Sequence, residues 1–176
     1  MNLPQIILDS IANSTRNVFE TMLGGQVEPV AEAIETGPPD ANDGVVSFIG
    51  IAGAWAGTGS LSCSSNMACA ICSQLLMTES SAVNEEVLDA VAELTNMVIG
   101  GVKTDLEQHL GPLGLSIPTV VFGRNFKTRS VGTTEWIVER FRWNGEELVV
   151  KMCLAPNERV VHMVQHGGIQ TCALDV

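Results

Sequence analysis

Residues 85–109 read EEVLDAVAELTNMVIGGVKTDLEQH. At ~100° per residue, a helix gathers Leu88, Val91, Thr95, Val98, Ile99, Val102 and Leu106 into one apolar stripe that should face a core. The same winding puts Asp89, Glu93 and Asn96 on a second stripe, roughly a quarter to a third of a turn away. Gly100 falls on that second stripe, one turn beyond Asn96, and Lys103 lies near its edge. Glycine inside a helix costs about 1 kcal/mol relative to alanine. A helix end is one explanation for Gly100, but the apolar pattern continues through Val102 and Leu106. Close approach of another surface to the backbone beside Asn96 is the other. The bland reading of Asp89, Glu93 and Asn96 is the solvated flank of an amphipathic helix.

Around this helix the chain alternates between helical and strand patterns. Residues 5–23 place Ile7, Ile11, Val18, Met22 and Leu23 at helical spacing, with Gly24-Gly25 as a stop. Residues 36–44, TGPPDANDG, have the composition of a loop. Val45–Ala52 is a β-type run, Gly53–Gly57 offers a turn, and Gly59–Ser64 pairs back as a hairpin. Asn66–Leu76 reads as a short buried helix. Ser116–Phe122 is a strand with proline near its start, where a missing N–H does least harm. Trp136–Trp143 and Glu147–Leu154 flank Asn144-Gly145, a strong hairpin signal. Val160–Val164 is expected to be a further strand.

The two glycine pairs also align. NSTRNVFETMLGG (13–25) stands beside DAVAELTNMVIGG (89–101), each a helical segment ending in Gly-Gly and followed by strands. Asn13, Asn17 and Glu20 then occupy the places of Asp89, Glu93 and Asn96. Duplication into pseudo-twofold halves and a coincidence of similar helix ends both account for this.

Composition narrows the function. The 176 residues suit one domain spanning 1–176. With 45% hydrophobic and 16% charged residues, the chain can bury a substantial core, which must be mostly aliphatic because aromatics are only 5%. A net charge of −11 leaves no basic footprint for nucleic acid and would be repelled by anionic lipid. The N-terminus MNLPQIILDS lacks the basic and long apolar regions of a secretory signal, and the most apolar run, Val45–Ala56, is too short to span a bilayer. A soluble cytoplasmic protein is expected. Five cysteines without export signals fit buried thiols better than a disulfide framework.

The arrangement Asp89-x-x-x-Glu93-x-x-Asn96 resembles the signature of the CheC/CheX/FliY chemotaxis phosphatases, which dephosphorylate the response regulator CheY. The likeness extends to VVSFIGIAGAWAGTGSLSCS (45–64), similar to the family's glycine-turned hairpin, and to ELTNMVIGGVKTD (93–105), similar to its catalytic helix. SIPTVVFG (116–123) resembles the strand that follows, and NVFETMLG (17–24) resembles the first helix of CheX-type members. Coverage is good from about 14 to 125 and thin afterwards. Pro118 stands one residue closer to Asn96 than the family pattern sets its proline, which bears on the loop around 111–114. Only one clear Glu-x-x-Asn pair is present, as in CheX.

An amide is neither a useful acid nor a useful base at neutral pH, but its C=O and NH₂ can hold a water in line for attack on phosphorus. Phosphoryl transfer gains mostly from positioning and charge stabilisation, so that suffices. The resemblance therefore implies two catalytic residues. Asn96 enters the active site of a phosphorylated CheY-like receiver domain and orients water, while Glu93 pairs with the receiver's lysine. Asp89, Gly100 and Lys103 border the interface. The phosphorylated aspartate and the Mg²⁺ belong to the receiver, so the chain needs no metal or cofactor of its own. The resemblance also implies a homodimer.

Other constellations are weaker. Cys69-x-x-Cys72 lies in apolar NMACAICSQLL without the basic surroundings or extra ligands of a redox or metal site. His109 suits the negative end of its helix, and His162 and His166 fall in an expected strand and turn. GIAGAWAG is glycine-rich, but no good helix follows it, so a dinucleotide reading is weak. The expected fold is α/β or α+β: an antiparallel-rich sheet with the long helix and the N-terminal helix on one face. The rival to a phosphatase is a non-catalytic binding or switch-associated module of the same fold, with a thiol redox protein third.

Overall fold

The computed structural model describes residues 2–36, 42–127 and 135–157. The first helix, α1 (Leu3–Met22), carries a proline in its first turn, where the missing N–H has no intrahelical partner anyway. It buries Ile7, Leu8, Ile11, Val18 and Phe19. It stops where Gly24 takes φ +63 and the Gly25 N–H returns to the Phe19 carbonyl at 3.2 Å. Gly25 is small for a local reason: a Cβ there would stand 2.7 Å from Nε1 of Trp143, whose ring packs edge-on against Phe19 at 5.4 Å.

The strands are β1 (Glu28–Thr36), β2 (Asn42–Gly53), β3 (Trp55–Cys63), β4 (Leu113–Leu115), β5 (Thr119–Phe126), β6 (Glu135–Trp143) and β7 (Glu146–Pro156). They form one seven-stranded sheet in the order β1-β6-β7-β3-β2-β4, with β5 also paired to β2. Each pairing is antiparallel. The β6–β7 hairpin turns at Asn144 and Gly145, both at positive φ (51 and 81), the conformation an Asn-Gly hairpin requires. The other two helices are α2 (Ser65–Leu76) and α3 (Glu85–Leu110).

Alternation along the strands decides where the core lies. Val45, Ile49 and Ile51 of β2 join Leu61 and Cys63 of β3, Ile137, Phe141 and Trp143 of β6, and Leu148, Val150 and Met152 of β7 in one buried cluster. The same cluster takes in the apolar stripes of all three helices, so the helices cover one face of the sheet. On the opposite face, Glu35 of β1 receives Arg140 and Lys151, each at 2.9 Å, and Arg140 reaches Glu147 at 3.3 Å.

The antiparallel sheet and the one-sided helices are as the sequence reading expects, and several details differ. The segment 26–35, left unassigned by pattern, supplies edge strand β1. Its glutamates Glu28, Glu32 and Glu35 disguise it, and charge is what an exposed sheet edge favours. The turn placed at 53–57 is shorter: β2 ends at Gly53 and β3 starts at Trp55. The loop after α3 contains β4, which pairs with the end of β2. Ser116 bridges β4 and β5, its N–H donating to the Gly50 carbonyl and its Oγ accepting from the Gly50 N–H, both at 2.9 Å. The glycine pairs are not structurally equivalent, because α1 ends before Gly24 whereas α3 runs straight through Gly100 and Gly101. The strand expected at 160–164, and most of the loop expected at 36–44, lie outside the described residues.

Candidate functional site

The 26-residue helix α3 is fixed at both ends before it presents anything to solvent. At its start Asn84 Oδ1 accepts the Val87 N–H at 3.0 Å, and Glu85 and Glu86 sit in the first turn, where negative charge complements the helix dipole. Near its end Glu107 accepts the Leu113 N–H at 2.8 Å and Lys103 at 2.9 Å. The Leu113 N–H first, and Lys103 second, hold the Glu107 carboxyl below its ordinary range. Between these ends Val87, Val91, Leu94, Val98, Ile99, Val102 and Leu106 are fully buried.

The outward side of the same helix carries Asp89, Glu93 and Asn96, all exposed. Among the described residues no hydrogen bond or ion pair ties down any of these three side chains, so their polar ends are available to another molecule. From Asp89 to Gly100 the row is roughly 16 Å long at the ordinary helical rise. Directly behind Asn96, Thr95 is completely buried and donates its hydroxyl to the Val91 carbonyl at 2.7 Å. The backbone that carries Asn96 is therefore held from below while its side chain stays free.

Gly100 extends the open row. A Cβ placed there meets nothing within 4 Å, so the glycine satisfies no packing need of its own fold. Its carbonyl accepts the Thr104 hydroxyl at 2.9 Å. Gly101, the next residue, faces the other way: a Cβ there would collide with the side chain of Ser14 on α1. Ser14 is buried and donates to the Val98 carbonyl at 2.7 Å. Lys103 stands to one side, half-buried and engaged with Glu107. The structure thus aligns Asp89, Glu93, Asn96 and Gly100, and sets Lys103 apart as an intrahelical partner. Ser14 was not singled out by the sequence pattern. The small-on-small contact it makes was announced only by the second glycine.

The competing sites are weaker in three dimensions. Cys63, Cys69, Cys72 and Cys153 are buried free thiols. Burial, with Cys69 and Glu146 adding to it, pushes the Cys63 thiol up to about 12. Burial and then Cys72 raise Cys69. Such thiols are poor nucleophiles and poor metal ligands. No group of three or more His, Cys, Asp or Glu among the described residues has metal-holding geometry. His109 is exposed in the last turn of α3, while Cys172, His162 and His166 lie outside the described residues. No described helix is long and apolar enough to cross a membrane.

Comparison with known proteins adds to this geometry. The family model described as chemotaxis phosphatase CheX matches residues 45–142, more than half of the chain. A CheC-like superfamily protein from Shewanella sp. PV-4 is 26% identical with a TM-score of 0.76, the match covering 88% of this chain and 99% of that one. The chemotaxis protein CheX from Vibrio vulnificus is 28% identical with a TM-score of 0.74, covering 85% of this chain and 99% of that one. A CheX–CheY–BeF3–Mg²⁺ complex from Borrelia burgdorferi shares the fold at 21% identity and a TM-score of 0.71, covering 84% of this chain and 97% of that one. No curated protein matches the sequence.

Proposed function

The chain belongs to the CheX family of chemotaxis phosphatases, and from that premise we propose that it hydrolyses the aspartyl phosphate of a CheY-like receiver domain. The observation that carries this reading is the free polar row on a rigid helix: Asn96 and Glu93 project from a fully buried backbone stripe, beside a glycine with open space over it. A side chain that must enter another protein's active site has to be exposed, unpaired and fixed at its base. Among the described residues, Asn96 meets all three conditions.

In this account the reaction belongs mostly to the receiver, which contributes the phosphorylated aspartate, its Mg²⁺ and a lysine. Asn96 contributes one oriented water, accepting from it through the amide oxygen or donating to it through the amide nitrogen. Positioning of this kind removes the entropic cost of capturing water at the moment of attack. Glu93, one turn back, pairs with the receiver's lysine and sets the docking register, and Asp89 borders the contact. Gly100 lets the receiver's surface reach the helix backbone. The CheX of Borrelia burgdorferi has been seen in complex with CheY, which supports a receiver as the partner here.

The test is the decay of phosphorylated receiver domains from the same genome, with and without this protein. Faster decay with one of them supports the phosphatase. A receiver that binds the protein but loses phosphate at its own rate identifies the binding module instead.

A further inference from the structure

Glu139 is the one buried charged residue among the described residues, only 2% exposed. It lies on β6 between Ile137 and Phe141, on the face covered by the helices. Its Oε2 has no hydrogen-bond partner. The charged groups around it come from two elements. Glu32 stands directly across on β1, and Asp9 and Arg16 approach from α1. On its other side β7 offers only the apolar Val150. An ionised Glu139 therefore faces two carboxylates and one guanidinium, without a donor for its inner oxygen. Burial first, then Glu32, pushes its carboxyl up to about 7, with Arg16 opposing and Asp9 adding.

We propose that Glu139 makes the seating of α1 on the sheet proton-dependent: as the neutral acid it lies quietly under α1, and its ionisation loosens α1 from β6. The consequence reaches α3, because α1 also grips that helix through Ser14, the Val98 carbonyl and Gly101. The inference does not depend on the phosphatase reading, since it concerns how α1 is held.

The folded carboxyl binds its proton more tightly than the unfolded one, whose ordinary value is 4.5. The folded state is therefore favoured at low pH and loses that advantage as pH rises from 4.5 and through about 7, with no further loss once Glu139 is fully ionised. Ordinary carboxylates have finished titrating by about pH 6, so the upper part of this window isolates Glu139. Any other group that titrates there cancels when wild type is compared with a variant that keeps it.

The experiment is amide hydrogen exchange on the full chain from about pH 5.5 to about pH 8.5, expressed as protection relative to the intrinsic rate at each pH. Amides of α1 in the wild type should lose roughly tenfold or more protection across the range, beyond any loss in β3. Glu139→Gln cannot ionise and should hold α1 protection level. Glu32→Gln removes the repulsive neighbour and should reduce the loss. The proposal is overturned if wild-type α1 protection does not change with pH, or if Glu139→Gln shows the same fall. Should Glu139→Gln fail to fold, an undiminished fall in Glu32→Gln overturns it equally.

Discussion

Ser14 occupies the space that a side chain at Gly101 would need. Its Oγ donates to the Val98 carbonyl at 2.7 Å, and its Cβ lies 3.1 Å from where a Cβ at 101 would sit. One residue earlier, a Cβ at Gly100 would meet nothing within 4 Å. The adjacent glycines therefore serve opposite sides of α3. Gly101 admits α1, and Gly100 leaves the outward backbone bare.

The two should separate in a melting experiment on the protein alone. Gly101→Ala forces Ser14 out of place, and overpacking of this kind costs about 1–3 kcal/mol. Gly100→Ala relieves a helix-interior glycine and should be neutral or stabilising by up to about 1 kcal/mol. Equal destabilisation by both changes would mean that Gly100 also packs within its own fold. Gly100→Leu should leave the melt intact while weakening receiver docking.

Glu93 should act on recognition. Glu93→Lys sets two cations face to face as the receiver docks, and such juxtaposition can cost several kcal/mol. Glu93→Gln removes the attraction alone, so its loss should be smaller, and wild-type activity should fall with added salt. The measurement is dephosphorylation rate against receiver concentration for the three proteins. Matching curves would make Glu93 one more solvated carboxylate.

The buried thiols should be inert. Cys63, raised to about 12, and the buried Cys69 and Cys72 should resist a thiol reagent in the folded protein and react only on unfolding. Rapid labelling of Cys69 or Cys72 under native conditions would revive the redox reading.

The long helix was legible because its signals agree: an apolar stripe at 3.6-residue spacing that continues past two glycines, and a histidine in the last turn. The Asn144-Gly145 hairpin was legible because its residue types demand one turn. Edge strand β1 was not, since Glu28, Glu32 and Glu35 read as loop until β6 is seen pairing beside them. The three residues of β4 carry no pattern at all without β2. The glycine pairs misled because sequence alone does not separate a helix stop at φ +63 from two glycines inside a continuous helix, one of them against a serine. Glu139 did leave a signal, as the polar exception in the row Ile137, Glu139, Phe141, Trp143, but strand alternation gave no hint of what surrounded it. The outward row of Asp89, Glu93 and Asn96 was visible in the sequence; its freedom from local partners was visible only in the fold.

The most direct test of the account is the decay of a phosphorylated cognate receiver with wild type and with Asn96→Ala. Asn96 is exposed and bonded to no described residue, so the substitution should change stability by no more than about 0.5 kcal/mol. Its binding to the receiver should persist, because Glu93 and the helix surface remain. The account predicts accelerated decay with wild type and decay at the receiver's own rate with Asn96→Ala. An Asn96→Ala protein that is folded, binds and still accelerates decay as wild type does would contradict it.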